Sequence, residues 1–401
     1  MASVVVVNNE LRDSVKEYSQ IIDGINKNTE FSQSISSYLE KEEISNKSEL
    51  LNKVYGVSTS ENFKKLTDKE FEPAFYLLLH IASELSSSQE VLDNAESPII
   101  KVLLETDPAQ PPSLRDRRSI KSATILSVLS TIFNLVPGAS KTRITLLKEI
   151  LRVIKTSGID FALIQDNVSS NLIHWLKQAN SDDSEIRSIF WQLINLDNQF
   201  SKKSLDLIKS FTNQYELNSG ELNQLITFAL SSQQVDVSFL VNNNVAQALK
   251  NEQQQLSTIF NKYVRGEIIT IEEIPTELPA DFIHKKSKIL NLAKYFADAS
   301  SSPEHDDIVF KYSEIPNVQS GVEFEQLLIE AIKAGVIEGK LNQVEESFYL
   351  SRVNRFILAG EDNSKNWIAV KAALQQWKDA LTNIDEAVAG ARESIVGSTA
   401  N

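Results

Sequence analysis

The stretch GVEFEQLLIEAIKAGVIEGKLNQVEESFYLSRVNRF, residues 321–356, decides the fold that the sequence predicts. Its first part places apolar residues at helical spacing, and Gly335 then ends the helix because glycine readily takes a positive φ. Two β-rich runs follow, Val336 to Leu341 and Phe348 to Val353, separated by the polar segment Asn342 to Glu346. A helix followed by an antiparallel hairpin is the second half of a winged helix.

The charges of this module argue against a DNA-binding role. A helix that enters the major groove presents Arg, Lys, Asn or Gln to the bases. Here Glu323, Glu325 and Glu330 occupy the helix, Lys333 is its one cation, and the hairpin turn adds two more glutamates. Such a surface would repel phosphate. With DNA binding disfavoured, the role left for this module is that of a scaffold. Its short sheet has an open edge that a strand of another protein can extend.

A long helix is predicted after the hairpin, at residues 361–390. Its apolar residues alternate at spacings of three and four through about three heptads, and alanines widen the stripe, which is typical of a helix packed in a bundle. At ~1.5 Å per residue it would be ~35 Å long, too long to be buried on one small domain, so we expect part of the seam to meet another chain. The alternative is that Trp367 and Trp377 cover this protein's own core. The predicted protein-interaction residues are Phe348 and Leu350 of the hairpin, and Trp367, Val370, Leu374, Trp377, Leu381 and Ile384 of the seam.

Length and composition describe a globular protein with room for two or three domains. The chain has 401 residues, 42% of them hydrophobic and 23% charged, and its net charge of -14 disfavours a dedicated nucleic-acid binder. Since it has no cysteine, disulfides and thiol chemistry are excluded. We expect an intracellular, cytoplasmic protein, because no secretory leader and no membrane span are recognisable, although nuclear residence is compatible with the sequence.

The rest of the chain is predicted to be helical. Apolar stripes begin near Leu11 and Phe71, and a Pro- and Ser-rich break from Ser86 to Pro112 contains one short apolar run, Ile99 to Leu104. Five further stripes follow, starting at Ile125, Leu147, Ile186, Leu205 and Leu222, with no proline between Pro137 and Pro275. Short amphipathic helices in series, each unable to bury its own stripe, indicate a degenerate helical-repeat solenoid.

No catalytic residue, metal ligand or cofactor site is predicted. The four histidines do not form a metal-binding helix motif. The run His305-Asp306-Asp307 lies in a polar loop and is expected to be solvated. The segment Gly138 to Thr142 has the end of a phosphate loop but lacks its first glycine and follows a predicted helix, so a helix turn explains it better.

Two basic clusters contrast with the acidic background. The favoured interpretation is that they are solvated helix starts, and the alternative is weak contact with RNA phosphate or an acidic partner. The first cluster is Arg115, Arg117, Arg118 and Lys121, and the second is Lys285, Lys286 and Lys288.

Three stretches carry a resemblance to a known family. They are RSIKSATILSVLSTIFNLVPGASKTRITLLKEILRVIKTSG (118–158), the helix and hairpin 321–356, and WIAVKAALQQWKDALTNI (367–384). Helical repeats, then a winged helix, then a long terminal helix resemble the PCI domain, which is shared by the proteasome lid, the signalosome and eukaryotic translation initiation factor 3. The ordered combination resembles the initiation-factor members most. The segment after Phe356, ILAGEDNSKN, departs from the shorter turn expected there.

The resemblance implies a mainly α fold: a right-handed helical-repeat solenoid ending in a winged helix, plus the long C-terminal helix. The implied domains are an N-terminal helical region with a Pro-rich loop at its end (1–112), helical repeats (113–215), a PCI domain (216–356) with its winged helix at 316–356, the heptad helix (361–390) and a flexible tail (391–401). The implied function is a non-catalytic scaffold that assembles with other PCI-domain subunits of the initiation factor and supports recruitment of the small ribosomal subunit and mRNA. A subunit of the signalosome or proteasome lid, or a direct RNA-binding repeat protein, is the alternative.

Overall fold

The computed structural model describes residues 10–40, 44, 46–86, 91–94, 96–108, 120–252, 254–300, 309–318, 320–354 and 364–399. Within them the protein is mainly helical, with one small three-stranded sheet. The chain divides into two compact units, Met1–Asn198 and Gln199–Asn401.

The first unit is built of helices alone in its described residues. Glycine and proline end several of them as predicted: the helix Ser122–Leu135 stops before Pro137-Gly138, and Gly158 follows the helix Thr142–Ser157 with a φ of 68°. The helices are α1 (Leu11–Asn26), α2 (Glu30–Leu39), α3 (Lys47–Val57), α4 (Ser60–Phe63), α5 (Asp68–Leu85), α6 (Pro98–Thr106), α7 (Ser122–Leu135), α8 (Thr142–Ser157), α9 (Ala162–Val168), α10 (Leu172–Gln178) and α11 (Asp183–Ile194).

The core of the first unit forms where the predicted stripes meet. Phe71 and Phe75 of α5 enclose Phe63 of α4, with ring centroids 5.6–5.7 Å apart, and all three side chains are fully buried. Burying one such side chain contributes about 1.5–3 kcal/mol. The start of α5 is fixed by a capping box in which Thr67 and Glu70 satisfy each other's backbone N–H groups.

The second unit combines helices with the sheet. Its helices are α12 (Lys202–Gln214), α13 (Ser219–Ser231), α14 (Asn243–Asn251), α15 (Gln255–Val264), α16 (Ala280–Ala299), α17 (Gly321–Lys333) and α18 (Ser364–Thr399). Short 3-10 turns lie at Ser238–Leu240, Ile271–Glu273 and Tyr312–Glu314.

The sheet has three antiparallel strands in the order β1-β3-β2. The strands are β1 (Val309–Lys311), β2 (Ile337–Asn342) and β3 (Ser347–Val353). Phe348 pairs with Phe310 on one side and with Leu341 on the other. The register shifts between Glu338 and Gly339, so β2 carries an irregularity near its start.

The helix and hairpin predicted from residues 321–356 are confirmed. The helix ends at Lys333, and Gly335 has the left-handed φ of 72° that the prediction required. Three details differ from expectation. Strand β1 was not predicted, α1 continues past Gly24 to Asn26, and the terminal helix extends beyond residue 390 to Thr399.

Candidate protein-interaction site

An aromatic cluster fixes the hairpin to the helix beneath it. Phe296 of α16 lies 4.8 Å from the ring of Phe310 in β1 and 5.4 Å from the ring of Phe348 in β3. Phe348 is fully buried and Leu350 is 5% exposed. These two residues, predicted to contact a partner, therefore lie in the core of this chain. Since strand residues alternate between faces, Tyr349 faces outward instead.

Gly339 allows the hairpin to close around this cluster. A Cβ at this position would lie 2.3 Å from Cζ of Phe348 and 2.4 Å from the carbonyl oxygen of Tyr349. Contacts this short do not occur, so any side chain here would displace the ring or separate the strands. The absence of a Cβ lets the Phe348 ring cover the backbone of β2.

Strand β2 is an edge of the sheet. It pairs with the central strand β3, and its other side carries no partner strand in the described part of the chain. Glu338 and Arg352 face each other across the pair with a 2.6 Å ion pair. Leu341, the exposed Val344 of the turn and Tyr349 line a shallow open surface next to this edge. The edge and this surface are accessible to a second chain.

The acidic face of α17 is neutralised by its neighbour α16. Lys285 pairs with Glu330 at 2.5 Å, and Lys288 pairs with Glu323 at 3.1 Å. These lysines belong to the second basic cluster, so their charges are directed at glutamates of their own chain. Each half-exposed pair contributes about 0–1 kcal/mol, and the two pairs join α17 to α16.

Tyr312 holds the other side of α17. Its ring meets Phe324 at 4.9 Å, and its hydroxyl donates a 2.9 Å hydrogen bond to Glu325. Desolvation, followed by the contact with this carboxylate, raises the pKa of Tyr312 to about 12. Gln343 in the turn donates to the same carboxylate at 2.8 Å. Glu325 thus joins the helix to the hairpin turn.

Lys286 is buried and caps another helix. Its Nζ donates hydrogen bonds to the carbonyl oxygens of Ala229 (3.3 Å), Leu230 (3.2 Å) and Ser232 (2.7 Å), at the C-terminal end of α13. Those carbonyls lack intrahelical donors, so the ammonium stands in for a C-cap. Desolvation lowers the pKa of Lys286 to about 7. This lysine is a structural group and is not available to RNA.

The terminal helix α18 exposes the predicted seam. Trp367 is 60% exposed, Trp377 66% and Leu381 50%, and Leu374 and Ile384 are similarly accessible, while Val370 is half-buried. The tryptophans therefore do not cover this protein's own core. Contiguous apolar surfaces of this size are uncommon on monomeric proteins, and that the seam meets another chain stays a prediction. At ~1.5 Å per residue, the 36 residues of α18 extend for about 54 Å.

Other predicted features lie elsewhere or outside the described residues. Lys121 pairs with Asp68 at 3.7 Å, whereas the arginines of its cluster and the run from His305 to Asp307 lie outside the described residues. In the described part of the chain, no group of His, Asp and Glu could hold a metal ion. No described helix is long and apolar enough to cross a bilayer.

Comparisons with known proteins identify relatives. No protein-family model matches the chain. A curated protein of Coccidioides immitis, eukaryotic translation initiation factor 3 subunit M, is 23% identical, with 87% of this chain and 75% of the relative covered. The proteins of the same name from Emericella nidulans and Aspergillus clavatus are 23% and 24% identical, covering 98% and 95% of this chain and 91% and 84% of the relatives. The likeness to proteins of this name therefore extends through both units of the chain.

Proposed function

We propose that this chain is a non-catalytic, cytoplasmic scaffold subunit of eukaryotic translation initiation factor 3. The observation that carries the proposal is the exposed seam of α18, in a chain whose relatives are named as subunits of that factor. A subunit of a complex must offer surfaces to its neighbours. Here the seam and the β2 edge offer them, while the described residues present no cluster of metal-ligand groups.

The assembly would use two kinds of contact. The seam of α18 would enter a helical bundle shared with other PCI-domain subunits, and the β2 edge would pair with a strand of a neighbouring subunit. The helix and hairpin of residues 321–353, with β1 beside them, would serve as the winged helix of the PCI domain, and the helices before them as a helical-repeat solenoid. An interface of about 1,600 Å² is the ordinary size for such contacts.

Within the factor, the chain would support recruitment of the small ribosomal subunit and mRNA by holding other subunits in place. Direct RNA binding by the second basic cluster is disfavoured, because two of its lysines face glutamates and the third is buried.

The test is affinity purification of the tagged full chain from its own cells, with mass spectrometry of the co-eluting proteins. Recovery of initiation factor subunits and small-subunit ribosomal proteins is the expected result. A chain ending at residue 363 should lose these partners because it lacks α18. Recovery of signalosome or proteasome-lid subunits would refute the assignment to the initiation factor. Retention of every partner by the shortened chain would refute the role of the helix.

A further inference from the structure

Most positively charged residues of α18 lie on one flank of the seam, and most negatively charged residues lie elsewhere on the helix. With Trp367 at heptad position a, position e on one flank of the seam carries Lys371, Lys378 and Arg392, interrupted by Asp385. All four of these flanking side chains are exposed. Residues at position e lie next to the seam and face the flank of whichever helix packs against it. This side of the interface is therefore predominantly cationic.

The other flank of the seam and the outer face of the helix differ in charge from this cationic flank. Position g carries Ala380 and Ala387, which offer no charge, and position f, farther from the seam, carries Asp379 and Glu386. The acidic residues of the helix thus lie mostly on its outer face, away from the seam. A helix that packs on the seam meets lysine and arginine on one side and alanine on the other.

Pairing with a second copy of this chain does not satisfy these cations. In a parallel pair, position e faces position g of the preceding heptad of the other helix, so Lys371, Lys378 and Arg392 would all face uncharged residues. In an antiparallel pair centred on the helix, Lys378 would meet Asp385, but Lys371 would meet Arg392. Like charges at facing positions are destabilising. The pattern calls for a different partner.

We propose, on the basis of the assembly role of α18, that the helix seated on this seam belongs to another protein and carries a row of Asp or Glu residues facing Lys371, Lys378 and Arg392. Its apolar a and d residues cover the tryptophans, and its acidic flank selects this partner over other amphipathic helices. The acidic row also predicts that assembly weakens as salt is added, because exposed ion pairs are screened.

Zero-length cross-linking tests the chemistry of the partner directly. A carbodiimide joins a lysine amine to a carboxylate only when the two are in ion-pair contact. In the assembled complex purified through the full chain, we expect Lys371 or Lys378 to be joined to an Asp or Glu within a helical segment of another protein. Cross-links from other lysines of the same sample, without any from these two, would overturn the inference.

Charge reversal provides the second readout. The variant Lys371→Glu/Lys378→Glu should recover its partners about ten-fold less than wild type. The control Gln376→Glu/Asn383→Glu adds the same negative charge at exposed positions that are not i±3 or i±4 neighbours of these lysines, and its recovery should stay within about two-fold of wild type. Circular dichroism establishes that each variant is folded. Equal recovery by the lysine variant, with loss of partners by the chain ending at residue 363, refutes the acidic row and leaves the scaffold role standing. Full recovery by the shortened chain refutes both.

Discussion

Replacing Lys286 with methionine should change how the stability of the protein depends on pH. Burial lowers the pKa of Lys286 from 10.5 to about 7 in the folded protein. In the unfolded chain this lysine is solvated, so its pKa returns to the ordinary value near 10.4. Between about pH 7 and pH 10 the unfolded chain therefore binds more protons than the folded one. Stability contributed by Lys286 rises with pH in this window and is lost as pH falls toward 7.

The size of the effect follows from the pKa difference. Each pKa unit corresponds to about 1.4 kcal/mol. In the folded protein Lys286 is still partly protonated at pH 7, so the full effect of the pH change is not reached. Raising the pH from 7 to 9 should therefore increase the contribution of Lys286 to the free energy of unfolding by about 2 kcal/mol. Lys286→Met keeps the length of the side chain but cannot titrate. Its free energy of unfolding should therefore lack this rise of about 2 kcal/mol relative to wild type.

The assay is urea denaturation followed by circular dichroism at pH 7 and pH 9 for both proteins. The difference between the two pH values removes any offset caused by the lost hydrogen bonds to Ala229, Leu230 and Ser232. The matched control, Lys285→Met, removes a surface lysine from the same helix and should keep the wild-type gain, since Lys286 is intact. Equal pH dependence of wild type and Lys286→Met would refute the reasoning that burial lowers the pKa of Lys286 to about 7.

Further substitutions separate stability from assembly. Gly339→Ala should lower the free energy of unfolding by about 1–3 kcal/mol through overpacking, measured by urea denaturation, while Gly390→Ala, whose added Cβ meets nothing within 4 Å, should not destabilise the protein. Phe348→Ala should cost about 3–5 kcal/mol in the same assay. Trp377→Ala should leave stability within about 0.5 kcal/mol yet reduce co-purification of partners. Glu330→Gln should cost at most about 1 kcal/mol, and a larger loss would show that the α16–α17 ion pairs are underestimated.

The helix and hairpin of residues 321–353 could be predicted because each local signal agreed with the others. Helical spacing, a glycine at the helix end and two β-rich runs around a polar turn point to one arrangement. Strand β1 could not be predicted, because three residues beside a polar segment have no periodicity to read. Its conformation is determined by pairing with β3, a contact between residues distant in sequence.

Only part of the candidate site could be predicted from the sequence. Alternation in β3 places Phe348 and Leu350 on one face, but the sequence does not say whether that face meets this chain's own core or a partner. The structure shows that the α18 seam is exposed. That the seam meets another chain stays a prediction, as does the identity of that chain.

The burial of Lys286 could have been predicted from the sequence. It shares a helix face with Ile283, Leu290 and Ala293, all buried, so its spacing placed it at a core position of α16. Its two charged neighbours made the cluster look like a solvated surface. A lysine at a core position of an amphipathic helix indicates a buried amine that needs carbonyl acceptors.

The exposed apolar seam of α18 also affects how long the unassembled chain persists in the cell. A newly made chain displays two tryptophans and several aliphatic side chains to water, a surface that promotes aggregation and capture by chaperones. Its survival then depends on how soon a partner covers that helix. We expect the amount of this protein to follow the supply of the partner, so that synthesis in excess is removed by proteolysis and the stoichiometry of the complex is maintained.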